Sequence, residues 1–103
     1  MFMPYMYILQ CRDETYYTGS TWNLEQRLSE HQAGEGANYT SKRLPVSLVY
    51  YKEYTRIEAA FNREKQVQGW SHAKKDSLME GDENLLHRLA ICRNVTKAPD
   101  KKD

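Results

Sequence analysis

The amino-acid sequence predicts an α+β fold: a small three-stranded antiparallel sheet flanked by helices. Three observations carry this expectation. Two aromatic and branched stretches, residues 5–11 (YMYILQC) and 15–19 (TYYTG), stand close enough for a hairpin. A third stretch, residues 46–54 (VSLVYYKEY), is the most strand-prone in the chain. Between and after them lie segments with apolar residues at helical spacing. The order is therefore β-β-α-β-α-α plus a short C-terminal helix.

The bulk numbers agree with one small domain. A chain of 103 residues suggests a single folded unit, placed at 1–95, followed by a solvated tail at 96–103 (TKAPDKKD). With 40% hydrophobic and 28% charged residues, the body is expected to be globular rather than disordered. A formal net charge of +1 does not by itself announce a nucleic-acid binder. The two cysteines, Cys11 and Cys92, have no CxxC spacing and read as reduced thiols of a cytoplasmic protein. Cys92 and His87 have no companions for a zinc site. Neither a signal peptide nor an apolar run of membrane length is present. Eight tyrosines suit strands, interfaces and base stacking alike, so their number selects no function.

Each element has its local reason. In the first strand Tyr5, Tyr7 and Leu9 share one face, while Met6, Ile8 and Gln10 share the other. Gly19 ends the second strand, where a positive φ or the close approach of another group would require glycine. Ser20, Thr21, Trp22 and Asn23 offer caps for a helix running to Ala33. Leu24 and Leu28 set its apolar face; Arg27 and His31 fall on or beside that face. Gly34 and Gly36 break the helix, and residues 37–45 read as a polar loop. Ser71 caps a helix to Glu80 that carries Lys74 and Lys75, and residues 85–92 form a short packing helix.

One helix, residues 55–68, departs from the apolar pattern. Thr55 and Glu58 form a T-x-x-E capping box. Ile57, Ala60 and Phe61 then make an inward stripe, but the next position on it is Glu64. An inward carboxylate is costly unless a cation or a hydrogen-bond donor meets it. Two helices thus turn ionisable groups, Arg27 with His31 and Glu64, toward the interior.

In this order and spacing the chain resembles the GIY-YIG nuclease domain. Tyr5-Met6-Tyr7 stands where that family has Gly-Ile-Tyr, and Tyr17-Thr18-Gly19 where it has Tyr-Ile-Gly. Arg27 and His31 follow on the first helix, Tyr39 in the next loop and Glu64 on the later helix. The similarity covers about residues 4–80 and is strongest to a small stand-alone branch. Tyr5 and Met6 depart from the first motif, as this branch commonly tolerates.

The resemblance implies a metal-dependent endonuclease that cuts DNA, in repair, recombination or removal of foreign DNA. Glu64 would hold one Mg²⁺ or Mn²⁺. Arg27 would grip the scissile phosphate with its planar fork. Tyr7 and Tyr17 would flank the attacking water, with Tyr7 favoured as base once a nearby cation lowers its pKa. His31 would accept a tyrosine proton or hold its hydroxyl. Tyr39, Lys42, Arg43 and Lys65 would contact the substrate, and Arg63, Lys74 and Lys75 would extend a basic rim.

Each residue type also has an ordinary use: a solvated glutamate, a surface ion-pair arginine, a packed histidine, sheet aromatics. A non-cutting nucleic-acid-binding module and a protein-interaction domain with a tyrosine interface therefore stand as alternatives. With no attached DNA-binding domain, the expected partner is single-stranded, duplex or branched DNA read by form. Otherwise self-association as a homodimer or a protein partner would supply target choice.

Overall fold

The computed structural model describes residues 3–96, with side chains described through residue 90. Of the tail expected at 96–103, Thr96 instead ends a helix, and residues 97–103 lie outside the described residues.

Strand β1 (Tyr5–Gln10) is central, between β2 (Tyr16–Thr21) and β3 (Ser47–Glu53), and both pairings are antiparallel. A central strand covered on both faces must be apolar on both, which explains why four consecutive residues, Met6, Tyr7, Ile8 and Leu9, are buried. The hairpin turn puts Glu14 at φ 69°, and Asp13 accepts hydrogen bonds from the Thr15 amide and hydroxyl.

Helix α1 (Leu24–Gln32) starts at Asn23, whose side chain accepts from the Gln26 amide. It buries Leu24, Leu28 and His31. Gly34 follows at φ 83°, a left-handed position that favours glycine. The loop expected over residues 37–45 contains one helical turn, α2 (Asn38–Ser41). Its single turn closes on the Ala37 carbonyl, which accepts from the Ser41 amide. Four residues are too few to leave an apolar period in the sequence.

Helix α3 (Ile57–Gln68) corrects the sequence reading twice. Its N-cap is Arg56, not Thr55, and no side chain caps it, so the T-x-x-E box does not form. The Tyr54 amide is tied to the Pro4 carbonyl, the chain bends at Thr55 and Arg56, and the helix starts after Arg56. The inward face is Ala60, Glu64 and Val67; Phe61 is rotated off it and 47% exposed, beneath the Lys65 ammonium. Glu64 itself is buried, as the phase predicted.

Helix α4 (His72–Glu80) is capped by Ser71, whose hydroxyl accepts from the Lys74 amide. Lys75 is buried rather than part of an outer rim. Helix α5 (Leu85–Thr96) is longer than the predicted 85–92. It is tied to β3 by Arg88, which donates to the Tyr51 carbonyl and to Asp82, while the Tyr51 hydroxyl donates to the Arg88 carbonyl. Among the described residues, no helix is long and apolar enough to cross a membrane.

Because Ile8 is fully buried on the central strand, Ile8→Ala is expected to cost about 3 kcal/mol of folding free energy through lost burial and a residual cavity. Denaturant unfolding of the two proteins measures this directly.

Candidate active site

The site begins with the hairpin register. Tyr7 lies opposite Gly19 and Leu9 opposite Tyr17, so alternation puts Tyr7 and Tyr17 on one face of the sheet. A Cβ at position 19 would lie 2.5 Å from the Tyr7 hydroxyl oxygen. Glycine is therefore needed for close approach, not for an unusual φ. The phenol passes over Gly19 and is 2% exposed.

His31 of α1 meets it there. Tyr7 Oη lies 2.9 Å from His31 Nε2. His31 Nδ1 lies 2.8 Å from the hydroxyl of Thr40 on α2. Gly36 passes so close that a Cβ there would fall 2.4 Å from Nδ1. The Tyr17 ring stands 5.3 Å from the imidazole, and the Tyr39 ring is stacked 6.1 Å beyond it.

Arg27 closes this side. Its NH1 donates to Glu30 at 2.9 Å and its NH2 to the Gly36 carbonyl at 3.1 Å. Burial opposes its charge, but the contacts with Glu30 and Tyr7 outweigh that and raise its pKa. The guanidinium is thus a fixed cation beside the phenol.

From α3, Glu64 accepts from the Ser20 hydroxyl at 2.6 Å and from the Gln68 amide at 2.7 Å. These two donors meet the cost of its burial. Its charge reaches both phenols and works against their ionisation. The Lys65 ammonium lies 3.9 Å from its Oε2 and is exposed.

The electrostatics correct one expectation. Burial raises the Tyr7 pKa to about 12, against the lowering effect of Arg27. Burial also raises that of Tyr17, again against Arg27. Arg27 alone does not prevail over burial, so without a further cation both tyrosines are neutral phenols at pH 7. His31 moves the other way. Burial, then the Arg27 charge, lowers its pKa to about 4, with Glu30 opposing. It is a neutral imidazole that can accept a proton.

The residues expected at the rim divide. Arg43 stacks over Tyr39 at 3.8 Å, donates to the Tyr39 carbonyl and pairs with Asp13 at 3.1 Å. Tyr39 and Lys42 are exposed. Lys74 lies over Trp70, as does Arg63, away from these contacts.

This chain matches the model of the GIY-YIG catalytic domain over residues 3–76. It belongs to the GIY-YIG family. It is 49% identical to a UPF0213 protein of Natronomonas pharaonis over 75 residues, 73% of this chain and 88% of the relative. It is 45% identical to a UPF0213 protein of Haloquadratum walsbyi over 76 residues, covering 74% and 85% of the two chains. The solution NMR structure of a UPF0213 protein from Bacillus halodurans is similar, with a TM-score of 0.50 and 38% identity over 75% of this chain and 82% of that one. The GIY-YIG fold thus joins the tyrosine hairpin, α1 and α3 around these groups.

GIY-YIG nucleases typically use divalent metals, and the donors around Glu64 suit one. Among the described residues no three His, Cys, Asp or Glu side chains cluster, which excludes from them a zinc-type cage. A single carboxylate suits Mg²⁺, which keeps several waters and takes further oxygens from a phosphate. Each Glu64 oxygen accepts one hydrogen bond from a neutral donor and has a lone pair left.

Sequence reasoning missed Ser20, Gln68, Gly36 and Thr40. Ser20 was read only as a helix cap. Its register opposite Met6 puts it on the other face from Tyr7, where it meets α3. Gln68 follows Glu64 by one helical turn, a spacing that brings side chains together.

His31 makes stability depend on pH. Its folded pKa of about 4 lies below the ordinary 6.5, so between these values the unfolded chain binds more protons. This contribution is complete above pH 6.5 and is lost as pH falls to about 4. The shift amounts to about 3 kcal/mol. Comparison of wild-type and His31→Gln unfolding across that range is expected to show a flatter pH slope in the variant.

Proposed function

We propose that this GIY-YIG domain is a metal-dependent endonuclease that hydrolyses DNA phosphodiester bonds. What carries this reading is that the Arg27 and Glu64 charges, from two separate helices, both reach the Tyr7 and Tyr17 phenols. A domain that only binds nucleic acid has no need of a buried carboxylate whose charge reaches those phenols.

Glu64 would hold Mg²⁺ or Mn²⁺, which when bound supplies Lewis-acid polarisation of a phosphate oxygen. Arg27 would receive the scissile phosphate with N–H groups not committed to Glu30 and Gly36, stabilising the charge that gathers in the transition state. Tyr7 acts as the base through His31. The attacking water gives a proton to the Tyr7 oxygen while Tyr7 passes its own proton to His31 Nε2, already 2.9 Å away. No free phenolate is needed, which suits a phenol with pKa about 12. The arriving phosphate also offsets the Arg27 charge, one of the two effects that keep His31 weakly basic. Tyr17 stands beside the imidazole and orients the water.

Tyr39, Lys42, Arg43 and Lys65 would contact the flanking backbone. Arg43, held between Tyr39 and Asp13, offers a rigid guanidinium; Lys42 and Lys65 offer mobile charge. Such contacts read phosphate rather than base, so target choice would follow DNA form or come from a second copy or a protein partner. Repair or recombination of DNA is the setting that fits such a choice.

The test uses purified protein with Mg²⁺ or Mn²⁺ and single-stranded, nicked, branched and duplex DNA. Cleavage of at least one form is expected; none at high protein concentration overturns the proposal. Glu64→Ala and Tyr7→Phe are expected to lower kcat by 10²-fold or more, on the order of the loss of a principal catalytic group. Glu64→Ala should stay folded by circular dichroism.

A further inference from the structure

The His31–Thr40 contact determines which way the proton chain runs. Thr40 is fully buried. Its hydroxyl donates to the Ala37 carbonyl at 3.1 Å and stands 2.8 Å from His31 Nδ1. A threonine hydroxyl has one hydrogen and a carbonyl has none. With that hydrogen aimed at Ala37, Thr40 presents a lone pair to His31. Nδ1 must then carry the ring proton, and Nε2 must present a lone pair to Tyr7.

The opposite arrangement has two costs. Were Thr40 to donate to Nδ1, its oxygen would face the Ala37 carbonyl with no hydrogen between them. Nε2–H would also have to point at the Tyr7 oxygen. Tyr7 would become the acceptor, and its own hydrogen would lose its partner at Nε2 in a buried setting. Gly36, packed against the ring, keeps the imidazole from turning away.

We propose that Thr40 is a positioning residue: through Nδ1 it holds His31 as the tautomer whose Nε2 accepts from Tyr7. The one-turn helix α2 exists in this site to present that hydroxyl. When His31 takes the Tyr7 proton, Thr40 still accepts from Nδ1–H, so both N–H groups of the imidazolium have oxygen partners. The tautomer is a property of the folded chain. Its catalytic consequence rests on the nuclease reading.

The experiment is ¹⁵N NMR of the histidine rings of the full chain near pH 7, with His31 assigned by its absence in His31→Gln, together with cleavage kinetics. Wild type and Thr40→Ser are expected to show a protonated Nδ1 and a bare Nε2. Thr40→Val, of similar shape but without the acceptor, is expected to move the proton wholly or partly to Nε2. Its kcat should fall about 10–100-fold, typical for a partner that orients a functional histidine, with little change in KM, and Thr40→Ser should restore it. A wild-type His31 protonated on Nε2 overturns the proposal, whatever the variants do. So does a Thr40→Val protein with an unchanged tautomer, and one with a changed tautomer but wild-type kcat overturns the catalytic part. If wild type cleaves no DNA, the nuclease reading fails and the wild-type and Thr40→Ser spectra still decide the tautomer.

Discussion

The hydrogen bond between the Tyr7 phenol and the His31 imidazole is the constraint on which the rest of the site depends. It joins the central strand to α1 across 24 residues of sequence. Both partners are essentially without solvent, so each must find its polar partner in the protein. That need explains the surroundings. Gly19 leaves room for the phenol, Gly36 for the imidazole, and Thr40 meets the far ring nitrogen. A larger residue at either glycine would collide with the pair it shelters.

Around this neutral pair the charges are arranged at the margin. Arg27 is held by Glu30 and the Gly36 carbonyl, and Glu64 by Ser20 and Gln68. Neither charge dominates the tyrosines. Burial outweighs Arg27 at both phenols, and it outweighs Glu30 at His31. The buried tyrosines and histidine are thus neutral, and the Arg27 and Glu64 side chains lie at their margin.

Much of this was legible in the sequence because it rests on period. The alternation of YMYIL, the Leu24 and Leu28 stripe with Arg27 and His31 beside it, and the inward phase of Glu64 all follow from side-chain direction. The failures came where no period exists. The single turn of α2 is too short to show one, so Thr40 passed as part of a polar loop. Phe61 was given to the inward stripe because it sits one turn after Ile57. Yet small Ala60 and Val67 set the true face, and a few tens of degrees of rotation moved the ring out. Thr55 matches a capping box, but the helix starts one residue later, with Arg56 as its N-cap. The burial that raises the Tyr7 pKa leaves no mark in composition.

Gly19 has a consequence for folding as well. Slide the hairpin by one residue and Tyr7 faces Thr18 or Ser20 instead, each with a side chain in the space its ring needs. The phenol then has nowhere to lie, and Ser20 turns away from Glu64. An error in strand alignment therefore dismantles two halves of the site together. A wrongly paired chain would lose the Tyr7–His31 and Ser20–Glu64 bonds at once, so either contact reports correct β-pairing.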